Sequence, residues 1–335
     1  MKRSLALSAV VLAGAALAAQ TAASPSALAS DAVTIPAGQG PLAVAADDRT
    51  GAVYVTNEHL NTVSVISERA GTILGTIPVG AQPVGIAVDQ ERDMIYVASL
   101  AGGTVSVING STRAVTATVA AGPGTSGVAV DPATNTIYAT SYVTGTVLVI
   151  SGATDTVVAS IPVAGVPSGI AVLPGTDTIY VTSIADNSVS VISGRSGTVV
   201  ATIPVGSQPT NVAVDPATDT VYAADSTGLN PGLTCGAATG SVSVIDGRTS
   251  AVVATVPVGH GPFGVAADPG TGLVYVTNVC DNTVSVISER TRAVLATIPV
   301  GGQPRGVAVD ARTHQAYVSD FADGTLTVLS SGSLT

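Results

Sequence analysis

The sequence predicts an all-β chain: a seven-bladed β-propeller of four-stranded blades, its ring closed by the N-terminal strand completing the last blade. Three observations carry that expectation. Seven of the eight tyrosines recur at Tyr54, Tyr96, Tyr138, Tyr180, Tyr222, Tyr275 and Tyr317, at intervals of 42 residues except for one of 53. Only short apolar runs lie between them, and a fixed period of that length built from strand-like runs marks a propeller. The last unit also lacks its fourth run, while an orphan copy, Ala32 to Pro36, precedes the first unit.

In chain order, residues 1–29 read as a secretory leader. Lys2 and Arg3 open it, Leu5 to Leu17 is apolar, and Ala27-Leu28-Ala29 offers a small-x-small cleavage site. About 13 apolar residues are too few to span a bilayer. The expectation is a freely secreted chain with no membrane span, in which residues 30–335 form one propeller domain.

The second unit shows the pattern of all. Its runs are Gly85 to Val88, Met94 to Val97, Thr104 to Ile108 and Ala114 to Thr118, separated by Gly, Pro, Asn and Asp as turns require. The first two runs are apolar at nearly every residue, which fits sheets covered on both faces by neighbouring blades. Small residues in the first run suit a strand crowded at the axis. Hydrophobic residues make up 46% of the chain and aromatics 3%, with no Trp, so Val, Ile and Ala must fill the core.

Composition also removes function classes. Formal net charge is −10, or −12 once Lys2 and Arg3 leave with the leader, which disfavours nucleic acid as a partner. Lys2 is the only lysine, so the mature chain has no Schiff-base chemistry. There is no C-x-x-C-H haem motif, no Gly-rich loop ahead of a helix, and no local motif for Ser-His-Asp catalysis. No cofactor, metal or catalytic residue is assigned.

Tyr54-Val55-Thr56-Asn57 and Tyr275-Val276-Thr277-Asn278 are literal YVTN motifs, and Tyr180-Val181-Thr182-Ser183 differs by one residue. With Val284 to Ile287 and Ile298 to Gly301 following, the chain resembles the YVTN-family β-propeller repeat proteins from about Val33 to Leu329. The resemblance implies a seven-bladed ring like those of secreted and surface-layer proteins of prokaryotes. It implies no shared catalytic set.

The 53-residue interval holds an insertion containing Leu229 to Cys235. Cys280, the only other cysteine, falls in the equivalent loop of the next unit. In an oxidising compartment the pair reads as a disulfide stapling the insertion across blades; two free thiols or a metal pair are the alternatives.

Turns of a four-stranded blade alternate between two faces. The lower face carries nine of the ten mature arginines, the solvent-exposed His314, and a repeated aspartate (Asp47, Asp89, Asp131, Asp215, Asp268, Asp310) expected to cap its turn. The upper face has a single arginine, Arg305. The residue just before each innermost strand varies, as Leu42, Val84, Ser126, Ser168, Thr210, Phe263 and Arg305, and these should ring the upper mouth of the axial channel. His260 is read in place of the glutamine seen as Gln82, Gln208 and Gln303. Asp320 and Phe321 lie in the upper loop of blade seven, Glu58 and His59 in that of blade one.

The candidate ligand site is therefore an acidic pocket on one arc of the upper face: Arg305, Phe263, His260, Asp320, Glu58 and His59. The competing expectation is that Arg305 pairs with Asp320 and the rest is solvated loop. The function that follows is a secreted, monomeric, non-catalytic binding or scaffold protein. Its partner would be a cell-envelope polymer, another secreted protein or a small ligand. The alternative is a metal-assisted lactonase- or lyase-like enzyme using Glu58, His59, His260 and Asp320.

Overall fold

The computed structural model describes residues 32–227, 229–230 and 234–330; the expected leader, residues 1–29, lies outside them. Seven four-stranded antiparallel sheets follow one another around a ring. The second blade shows the plan, with strands Pro83–Asp89, Met94–Ser99, Thr104–Asn109 and Ala114–Ala120 running from the axis outward. The second and third strands are buried on both faces because neighbouring blades stack on them. Between blades two and three, Tyr96, Ala98 and Val107 pack with Val128, Ile137 and Ile150. Each such Val or Ile withdrawn from water contributes about 1.5–3 kcal/mol. Outer strands have no further sheet beyond them, and valines such as Val158 and Val200 stay exposed there.

The ring closes as the sequence predicts. Val33–Pro36 pairs antiparallel with Thr325–Ser330, Val33 opposite Val328 and Ile35 opposite Leu326. Ile35 and Ala37 are buried, and the Ser64 hydroxyl of blade one donates to the Ala37 carbonyl at 2.6 Å. The seventh blade thereby has four strands like the other six.

At the axis the inner strands approach one another closely. A Cβ built on Gly306 would stand 2.4 Å from the Leu42 carbonyl oxygen; on Gly264, 2.4 Å from that of Arg305; on Gly85, 2.3 Å from that of Ser126. The third residue of the Tyr-Val-Thr run clasps these strands. The Thr140 hydroxyl accepts from Gly127 N at 2.8 Å and donates to the Ser168 carbonyl of the next blade at 2.8 Å. Thr182, Thr277 and Ser319 repeat the arrangement. Ala224 of blade five has no hydroxyl, and there Thr210 donates to the Phe263 carbonyl instead, at 3.0 Å. The hydroxyl at this position is thus an inter-blade bond in four blades, whereas Thr56 bonds only to Ala43 of its own blade.

On the lower face the repeated aspartates are buried turn caps. The Asp47 carboxylate accepts from Arg49 N at 3.0 Å and from the Thr50 hydroxyl at 2.7 Å, and Asp131, Asp215 and Asp268 do the same in their turns. His314 departs from the expectation of a solvated side chain. Its Nδ1 lies 3.0 Å from the Asp268 carboxylate, which joins blade seven to blade six.

Two glutamates repeat another inter-blade contact. Tyr317 donates to Glu68 at 2.8 Å and Tyr222 to Glu289 at 3.0 Å. Burial, and then a neighbouring aspartate that accepts the glutamate's proton (Asp310 for Glu68, Asp215 for Glu289), pushes each carboxyl up to about 7. A carboxyl whose folded value is raised favours the fold most below its ordinary value of 4.5, and that contribution is lost as pH rises through about 7. Unfolding free energy should therefore fall between pH 5 and pH 8, on the order of 1–2 kcal/mol per group. Urea unfolding across that range checks this, since Glu68→Gln with Glu289→Gln should flatten the slope. A slope unchanged in the double variant would refute the assignment.

The insertion forms a short hairpin, Leu229–Asn230 against Thr234–Cys235, and Cys235 is disulfide-bonded to Cys280 of blade six. Among the described residues no helix is long and apolar enough to cross a membrane.

Candidate functional site

Each inner strand begins at a proline or threonine on the upper face and loses register within its first residues: between Pro41 and Val44, Pro83 and Gly85, Thr125 and Val128, and likewise in the other four blades. Such bulges at a rim re-aim side chains. The ring-lining residues lie within these irregular segments, one position inside the strand where the sequence placed them just before it.

Together they form a cavity of about 490 Å³ at the upper mouth of the axial channel. Leu42, Val84, Ser126, Ser168, Thr210 and Phe263 all line it, as expected from the sequence. Leu100, Tyr142 and Ile184, from the loops after the second strands of blades two, three and four, widen its apolar wall. These three were missed. One signal was available: Tyr142 is the eighth tyrosine, the one outside the 42-residue period, and it is 42% exposed. No carboxylate lines this cavity, whereas the site expected from the sequence was an acidic arc across blades six, seven and one.

Arg305, the seventh residue of the expected ring, is not among those lining the cavity; it stacks against Phe263, which is, and against Phe321. Its guanidinium carbon lies 4.4 Å from the Phe321 ring centroid and 5.4 Å from that of Phe263, within cation–π range. Only 5% of the residue is exposed. Burial lowers its pKa to about 10, partly offset by the charge of Glu58, so the guanidinium remains a cation at neutral pH. It does not pair with Asp320. Its Nε is buried with no hydrogen-bond partner, and no carboxylate among the described residues forms an ion pair with it.

Of the remaining predicted residues, Glu58 and His59 lie around Arg305 and Phe321, whereas Asp320 and His260 are engaged by other partners. Asp320 is fully buried and accepts from the Thr325 and Thr327 hydroxyls at 2.9 and 2.7 Å, bracing the end of its own blade. His260 binds Asp281 through Nδ1 at 2.9 Å. The exposed His59 stands edge-on to Phe321, ring centroids 5.3 Å apart, and Glu58 is half-buried. Among the described residues no three of His, Cys, Asp or Glu are placed to share a metal ion. His260 also does not replace the repeated glutamine. Gln82, Gln208 and Gln303 adopt φ near +53°, and the residue with that role in blade six is Gly261, at +62°. The glutamine marks a left-handed turn position, which glycine fills more easily.

Asp225 occupies the same position in blade five as Asp320 in blade seven and Asn278 in blade six. Burial pushes its carboxyl up to about 6, against hydrogen bonds from Ser243 and Ser241. Asn278 meets the same need without charge, donating to Ser285 at 2.9 Å and accepting from Gly259 N at 3.2 Å. Because the folded value is raised, ionised Asp225 opposes folding above pH 6. Asp225→Asn should therefore stabilise the chain at pH 8 by on the order of 1–3 kcal/mol, and the gain should vanish near pH 4. Thermal unfolding at the two pH values decides it.

Fold and site together define a seven-bladed β-propeller with an apolar cup at its channel mouth and a buried arginine stacked on one of the cup's walls. No protein-family model and no curated protein matches the chain. Solved structures do. A chain of Kuenenia stuttgartiensis hydrazine synthase superposes with a TM-score of 0.78 at 18% identity, covering 93% of this chain and 99% of that one. U3-55K superposes with a TM-score of 0.76 at 12% identity, covering 90% and 99%. Likeness at such identities is one of fold, and propellers host unrelated functions.

Proposed function

We propose that this chain is a secreted, non-catalytic binding propeller of the YVTN-repeat kind, acting in the cell envelope or extracellular space, with a small apolar ligand seated in its channel mouth. One observation carries the reading: the cavity of about 490 Å³ walled by Leu42, Val84, Leu100, Ile184 and Phe263, with Ser126, Ser168, Thr210, Asn211 and Tyr142 supplying its polar side chains. That size and balance suit a small-molecule site. The leader-like first 29 residues and the disulfide support export. The Tyr-Val-Thr-Asn runs support the repeat family. The metal-assisted alternative lacks a ligand cluster: among the described residues no three of His, Cys, Asp or Glu, Glu58, His59, His260 and Asp320 included, are placed to share a metal ion.

Thermal unfolding with a panel of apolar small molecules, envelope polysaccharides and secreted-protein extracts tests the reading. A small molecule at 100 times its dissociation constant adds about 2.7 kcal/mol, and the shift should disappear when Leu100→Arg and Ile184→Arg plug the cup. Stabilisation by polysaccharide alone, undiminished in the plugged variant, would place the binding surface elsewhere.

A further inference from the structure

Arg305 is a buried cation that no carboxylate among the described residues pairs with, although the charge of Glu58 acts on it. A charge removed from water is retained in native proteins when it is paired or hydrogen-bonded, yet the guanidinium meets only two aromatic rings and Nε has no acceptor. Those rings hold the fork in place without using any of its five donors. One of them, Phe263, is a wall of the cavity, as are Gly306 and Val307, the residues that follow Arg305 on its strand. The guanidinium thus lies against the Phe263 wall of an apolar cup, with its buried Nε unpaired among the described residues.

Resting on the reading of the channel mouth as a ligand site, we infer that the ligand is an amphipathic organic monoacid. Its carboxylate would bind the guanidinium of Arg305 and its hydrocarbon part would fill the apolar cup. Three observations narrow the class. Arg305 is the only lysine or arginine of the mature chain assigned to the upper face, so one negative charge is matched and a second would not be. Glu58 lies close enough to act on Arg305 without pairing to it, and it disfavours dianions such as phosphate esters. The walls formed by Leu42, Val84, Leu100, Ile184 and Phe263 ask for hydrocarbon, not for a sugar or a peptide backbone. A planar carboxylate also matches the two-pronged geometry of a guanidinium.

Calorimetric titration of the full secreted chain with octanoate, methyl octanoate and octanol tests the inference. Octanoate should bind about tenfold to a hundredfold more tightly than its ester, as expected for a charge-assisted hydrogen-bonded pair. The preference should fall below about threefold in Arg305→Met and be partly kept in Arg305→Lys. Equal binding of acid, ester and alcohol would overturn the assignment of Arg305 while leaving the apolar cup as the ligand site. No binding of any of the three would overturn both readings. Should Arg305→Met fail to fold, the wild-type chain still decides: the acid's advantage must disappear as pH falls through the carboxylate's own pKa, about 4–5, and an advantage unaffected by that titration overturns the inference.

Discussion

Gly306→Val is expected to destabilise the propeller by about 3 kcal/mol or more, a large effect for one side chain. The new Cβ would stand 2.4 Å from the Leu42 carbonyl oxygen, 3.0 Å from Ala43 Cα and 3.1 Å from Val44 N. All three are backbone atoms of an inner strand clasped on its far side, so they cannot rotate away as a side-chain tip would. Relief requires blades seven and one to part, and that opens the seam closed by Val33–Pro36. It would also lengthen the 2.6 Å bond from the Ser319 hydroxyl to the Leu42 carbonyl. Gly75→Ala is the internal control, because a Cβ there meets nothing within 4 Å on an exposed outer strand. Urea unfolding should separate the two variants clearly. Equal stability for both would mean that the inner strands are not packed as described.

The second large effect concerns the Cys235–Cys280 bond. It joins residues 45 apart in sequence and ties the hairpin of blade five to the upper loop of blade six. In the chain-entropy model a loop of that length contributes about 4 kcal/mol by restricting the unfolded chain. Cys235→Ser with Cys280→Ser should therefore lower the unfolding free energy by about 2–4 kcal/mol, and reductant should do the same to the wild-type chain and nothing to the variant. Cys280 N also donates to the His260 carbonyl at 3.2 Å, so loss of the bond should loosen the His260–Asp281 pair first. A wild-type chain indifferent to reductant would contradict the account.

Much of the fold was legible because the repeat states each rule several times over. The tyrosine period located every blade, the missing last run and the orphan first one announced the closure, and the two displaced cysteines announced their bond. The site was less legible, for a physical reason. A period fixes which loop a residue belongs to but not where its side chain points, and a one-residue slip in a strand reverses that direction. All seven inner strands are irregular where the channel mouth forms. So Asp320, read as a pocket residue, turns into its own blade, and His260 was aligned one place away from the left-handed position held by Gly261. Arg305, Phe263 and the neighbouring Phe321 were found because large side chains are rare at those positions. Leu100 and Ile184 were missed because an aliphatic residue carries no signal in a chain that is 46% hydrophobic.

The central claim is that ligand enters the upper channel mouth. The most direct measurement is photo-crosslinking of the chain with a diazirine-bearing octanoate, followed by mapping of the labelled peptides. The account predicts label on the segments around Leu100, Tyr142 and Ile184, competed away by octanoate. Label confined to the exposed outer-strand valines, such as Val158 and Val200, or to the arginine-rich lower face, would contradict it.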